Sequence, residues 1–141
     1  MKKLFVFLIC LAGCEVKPEP LFFGKDLCHT CKMTLIDNKY GAELVTKKGK
    51  IYKFDDMNCM LNFYHSGYEE PTDFQFLQVI DFSRPGILID GMHALYLKSD
   101  DLRTPMASGI AAFESEQTLN EAKQTFKGVM LSWGEVNTQF K

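Results

Sequence analysis

Two thiols and a thioether fall within six residues in the run Cys28-His29-Thr30-Cys31-Lys32-Met33. Thiolate and thioether sulfurs are soft donors, and together they favour monovalent copper over zinc, magnesium or calcium. Cys31 and Met33 are two residues apart, so on an extended segment their side chains share one face. Met106 supplies a second thioether after Pro105, in the polar loop Thr104 to Gly109. Binding residues gather on loops held by a scaffold, and an apolar side chain there has little packing to do.

Weaker candidates surround these four. Cys59 lies between Met57 and Met60 in a helical stretch, where a free cysteine commonly packs as a small hydrophobe. His29, between the paired cysteines, could tune their thiolates or bind at the edge of a site, although solvent exposure is the simpler reading. His93 follows Met92. Neighbours on a strand face opposite sides, so His93 joins a site only if the backbone turns there. His65 closes a helix, where a cation suits the dipole.

The chain has five cysteines, and the N-terminus decides how many remain. Met1-Lys2-Lys3 is a short basic region, and Leu4 to Leu11 is an unbroken apolar run. That run is too short to span a bilayer core, which needs about 20 residues, but it suits a secretory signal. It ends in Leu11-Ala12-Gly13-Cys14, a lipobox-like sequence that marks Cys14 for acylation after removal of residues 1–13. Residues 14–23, with two prolines, then read as a lipidated tether reaching on the order of 15–20 Å. The expected location is a bacterial membrane, on its periplasmic or extracellular face. Cys10 leaves with the signal, so Cys28, Cys31 and Cys59 remain. An odd count cannot form a purely structural disulfide framework. With no second Cys-x-x-Cys, a four-cysteine zinc site within one chain is excluded.

The mature chain keeps 14 basic and 18 acidic side chains, a formal charge of −4. It lacks a basic stripe or nucleic-acid motif, so no nucleic-acid partner is expected. No acid–base dyad, oriented nucleophile or nucleotide fingerprint appears, so neither catalysis nor a small-molecule substrate is expected.

The elements that position these residues repeat. Ala42 to Lys47 and Ile51 to Asp55 read as strands joined at Lys48-Gly49. Asp55 and Asp56 cap a helix over Met57 to His65. Phe76 to Phe82 is a strand. Ala94 to Lys98 and Gly109 to Phe113 are strands again, followed by a helix capped by Ser115. Leu119, Ala122 and Phe126 lie on its apolar face. It stops at Gly128, and Val129 to Trp133 closes the set. Phe54-Asp55-Asp56 aligns over Phe113-Glu114-Ser115 at an offset of 59. Residues 24–141 are therefore expected to form one compact α+β domain. It contains two related strand-strand-helix-strand units, about 33–82 and 88–134, in mostly antiparallel sheet.

Five runs, in order after the lipobox, carry a resemblance. They are Cys28-x-x-Cys31-Lys32-Met33, Phe54-Asp55-Asp56-Met57-Asn58-Cys59-Met60, Ala94-Leu95-Tyr96-Leu97, Thr104-Pro105-Met106 and Ala112-Phe113. Together they resemble the NosL family, the lipoproteins that accompany nitrous oxide reductase. The resemblance implies two related units, copper(I) binding, and copper supply to a client during maturation of that reductase. Two departures stand out. Lys32 occupies a position commonly held by glycine, and Met106-Ala107-Ser108 replaces a Met-Gly-His run, so Ser108 stands where a histidine is usual.

The expected function is a membrane-anchored, extracytoplasmic copper(I) carrier that takes the ion from a donor and passes it to an exported cuproenzyme. The alternative is a thiol–disulfide oxidoreductase using Cys28 and Cys31. Such enzymes set the first cysteine at a helix N-terminus on a βαβ scaffold, whereas here the pair precedes a hairpin.

Overall fold

The computed structural model describes residue 13 and residues 15–139. Cys14 and residues 1–12 of the expected signal segment lie outside the described residues.

The first sheet begins with a hairpin, β1 (Ala42–Thr46) and β2 (Ile51–Phe54). Its turn holds Gly49 at φ 82°, a left-handed conformation that glycine adopts without strain. Helix α1 (Met57–Tyr64) follows, with the Asp56 carboxylate accepting from Asn58 N. β3 (Phe74–Ile80) and β4 (Leu88–Asp90) complete a sheet ordered β2-β1-β3-β4. The second sheet contains β5 (Leu95–Lys98), β6 (Ile110–Phe113) and β7 (Val129–Leu131), ordered β6-β5-β7. Helix α2 (Glu116–Thr125), capped by Ser115, connects β6 to β7.

Every named strand pair is antiparallel. Both halves arrange their first three strands as second–first–third, with a helix between the second and third. The repeat read from the sequence is therefore an architectural one. The sheets join where Phe82 N donates to Ala112 O (2.8 Å) beside a parallel bridge between Asp81 and Ala112.

Two elements were not anticipated, and one was misread. β4 is a three-residue strand, shorter than alternation can reveal. The closing strand stops at Leu131, and Trp133–Gln139 forms α3. Ser132 and Glu135 bond reciprocally there: Ser132 N donates to Glu135 Oε2 (2.7 Å) and Glu135 N to Ser132 Oγ (3.4 Å). That is a capping box, the Ser-x-x-Glu signature of a helix start.

The segment read as a free tether is largely docked. Glu19 N donates to Glu43 Oε1 (2.9 Å), and Lys53 Nζ donates to Pro20 O (3.2 Å). Leu21 is buried, and its Cδ1 lies 2.9 Å from the point a side chain on Gly41 would occupy. A buried leucine fixes the chain where composition alone suggested freedom.

This docking buries Glu43 on β1, leaving its Oε2 without a partner. Burial raises the Glu43 carboxyl to about 7 from an ordinary 4.5. An acid whose folded pKa lies above its unfolded value holds its proton more tightly when folded, so stability falls as pH rises between those values. Glu43→Gln should remove a loss on the order of 2–3 kcal/mol between pH 4.5 and 7. Thermal melts at pH 5 and pH 8 check this: wild type should lose more melting temperature than the variant across the interval.

Candidate metal centre

The paired cysteines sit on a tight loop that opens and closes at an isolated antiparallel bridge, Leu27 to Thr34. Cys28 N donates to Met33 O (2.8 Å), and Lys32 N donates to Cys28 O (3.0 Å). Two further bonds fix this loop to the first unit. His29 N donates to Lys53 O on β2 (2.7 Å), and Thr30 Oγ1 donates to Cys59 O on α1 (2.9 Å). The short segment from β2 to α1 thus faces the cysteine loop.

Cys28, Cys31, Cys59 and Asp55 converge there, one donor atom from each lying within 4.8 Å of the others. Metal–sulfur bonds near 2.3 Å allow two sulfurs on one ion to stand about 4.6 Å apart at most. Four donors around one ion stand closer than that, about 3.8 Å apart, so the group would draw in by up to about 1 Å to share it. All three cysteines are free thiols. Cys28 and Cys59 are buried, and Cys31 alone is partly exposed.

Asp55 was read only as a helix cap, but Asp56 fills that role. The Asp55 carboxylate turns to the thiols, with Cys31 Sγ donating to its Oδ2 at 3.3 Å. Its Oδ1 is buried without a partner. Burying an unpaired carboxylate oxygen is costly, and a cation among these four atoms would satisfy it. An acid directly after a strand and before a cap was the available signal.

Packed this closely, the acids oppose one another's ionisation. The hydrogen bond from the Cys59 thiol lowers Cys28 to about 6. That same bond, with burial, pushes Cys59 upward. Burial chiefly raises Cys31, aided by its bonds to Asp55 and Cys28. One ready thiolate therefore sits beside two held protons, and Asp55 stands next to the exposed one.

Met33 is at the rim. Met33 is 59% exposed. The extended geometry expected for Cys31 and Met33 breaks at Lys32, whose φ is 65°. Met33 and Asp55 line a groove of about 320 Å³ with Arg103, Thr104 and Pro105. Met106 follows directly, partly buried against the main core. Its N donates to Asp56 Oδ2 (2.7 Å), and its O accepts from Asn58 Nδ2 (2.9 Å). The second unit's loop is thus tied to the start of α1.

The remaining candidates lie elsewhere. His93 is 85% exposed and pairs with Asp90 (2.7 Å). It is not in the thiol group, because the turn after β4 presents it to solvent. His29 is half-buried rather than exposed, its ring edge-on to Tyr52 (4.8 Å) and Phe63 (4.9 Å). Burial, with nearby Lys32 and Lys50, lowers its pKa, so it is a neutral aromatic packing partner. Ser108 is buried, accepting from Ile110 N (3.2 Å) and lying 3.2 Å from Thr104 Oγ1. It serves the loop's own structure. Ala107 takes φ 57°, so both departures from the family's glycines place a side chain in left-handed backbone.

No curated protein matches the chain. A crystal structure of the copper chaperone NosL from Shewanella denitrificans shares the fold, with a TM-score of 0.71 at 17% identity over 86% of this chain and 96% of that one. The NosL family model matches residues 22–140, and the chain belongs to the NosL family.

Proposed function

We propose that this protein carries monovalent copper outside the cytoplasm, anchored to a membrane through Cys14, and delivers it to an exported cuproenzyme. The family resemblance points to nitrous oxide reductase as the client. One observation carries the reading: three thiols and the Asp55 carboxylate converge within 4.8 Å, and that carboxylate keeps one buried oxygen unpaired.

Copper is cargo here, and the four groups divide the work. Cys28 supplies the thiolate that receives the ion first. Asp55 accepts the Cys31 proton as that sulfur bonds to copper. Cys59 closes the site from beneath. Soft sulfur favours the cuprous ion. Cys31 is the route in and out. The groove between Met33 and Thr104 is lined by Asp55, whose Oδ2 accepts from Cys31 Sγ (3.3 Å), so a partner's ligand arriving there reaches that sulfur beside the carboxylate and the ion moves by stepwise exchange. The thiol–disulfide reading fits less well, because Cys28, the thiol with the lowered pKa, is buried on a loop in an antiparallel fold.

Reduced protein titrated with copper(I) against a chromophoric chelator should bind one ion per chain. Cys28→Ser with Cys31→Ser should lose that ion while keeping the wild-type circular dichroism. An unchanged titration in the double variant, or tighter zinc than copper binding in wild type, would overturn the proposal.

A further inference from the structure

The docked N-terminal segment determines which part of the domain meets the membrane. Val16 Cγ2 lies 3.8 Å from where a side chain on Gly49 would begin, so the chain passes directly over the β1–β2 turn. From Glu19 to Leu21 it is fastened by Glu43, Lys53 and the core. Only Glu15 separates Val16 from Cys14. Two residues of extended chain reach about 7 Å at most. Acyl chains on Cys14 would therefore enter a bilayer right beside this turn.

The turn carries a charge that suits such a place. Lys47, Lys48 and Lys50 are all exposed on it, and exposed Lys17 adjoins Val16. The acids nearby are Glu15, Glu69 and Asp73; Glu69 pairs with Lys50 at 3.5 Å and accepts from Tyr52, and Asp73 meets Lys47 only through its backbone carbonyl, at 2.8 Å. Lys17, Lys47 and Lys48 are left without a carboxylate partner among the described residues. A local basic cluster on a chain of net negative charge is not explained by overall composition. A diacylglyceryl group already gives stable anchoring, so a basic patch beside it would act on how the domain lies against a charged surface.

We propose that the β1–β2 turn, with Lys17, is laid against anionic phospholipid headgroups. This rests on the lipid anchor proposed above and adds an orientation to it. β2 leads from the turn straight to Asp55, six residues on from Gly49 and roughly 15–20 Å away along a strand. The thiol group consequently stands at the far end of the hairpin, turned toward exported partners.

The test uses the full chain matured in bacteria and extracted from membranes. Mass spectrometry first reads the diacylglyceryl adduct on Cys14. The protein is then offered separable vesicles of phosphatidylcholine and of phosphatidylcholine with about 30% phosphatidylglycerol in equal amounts, and its share on each is read. Each lysine near an anionic surface contributes about a fivefold gain. Wild type should prefer the anionic vesicles by at least about tenfold, and Lys47→Glu with Lys48→Glu should erase that preference while leaving copper binding intact. An adduct without any lipid preference, or a preference the variant retains, overturns the orientation alone. A missing adduct overturns the anchor and the orientation with it.

Discussion

Cys59→Ser should weaken copper(I) binding by more than about a hundredfold, since even outer partners of a metal ligand cost about 10–100-fold when removed. Serine nearly matches cysteine in size and still donates a hydrogen bond toward Cys28, so the packing around α1 changes little. Oxygen, however, is a poor donor to a soft ion. Chelator competition reads the affinity, and thermal melting of the metal-free protein reads the packing. A large change in affinity with a small change in melting temperature identifies Cys59 as a ligand. The reverse pattern would return it to the core role that its helix position first suggested.

Asp56→Ala should cost about 3–5 kcal/mol. The side chain caps α1 through Asn58 N (3.0 Å) and also accepts from Met106 N (2.7 Å), with Ser108 N farther off at 3.4 Å. Losing the cap costs about 1–2 kcal/mol, and each buried N–H left without a partner costs about 1–3 kcal/mol more. In a domain of this size the melting temperature should fall by roughly 10–20 °C. Asp56→Asn retains one acceptor and should lose about half as much. Because the residue joins the start of α1 to the loop holding Met106, limited proteolysis of the alanine variant should cut first near residues 103–108.

Much of the fold is legible because local chemistry and global packing agree. Asp56 and Ser115 are helix caps in sequence and in space, and Lys48-Gly49 turns where a left-handed residue is needed. The losses have separate causes. α3 was hidden because Val129 to Trp133 is apolar enough to pass for strand, and the Ser132–Glu135 pair was outweighed by that run. Spacing could not show that Cys59 reaches the cysteine loop, since the pairing depends on the Thr30 bond to the Cys59 carbonyl (2.9 Å). Asp55 and Asp56 look alike in sequence. Only the handedness of the helix start sends one to the backbone and the other to the thiols.

The two halves share a frame but not a chemistry. At the offset of 59, Asp55 corresponds to Glu114, and Cys59, the third residue of α1, corresponds to Thr118, the third residue of α2. Glu114 is engaged by Arg84 at the surface, and Thr118 bonds its own cap, Ser115. The later half therefore keeps a carboxylate but has a hydroxyl where the earlier one has the Cys59 sulfur. The repeated frame thus holds a bearer and a brace: one half gathers the thiols, and its sibling ties its Met106 loop to the start of α1 through Asp56 and Asn58.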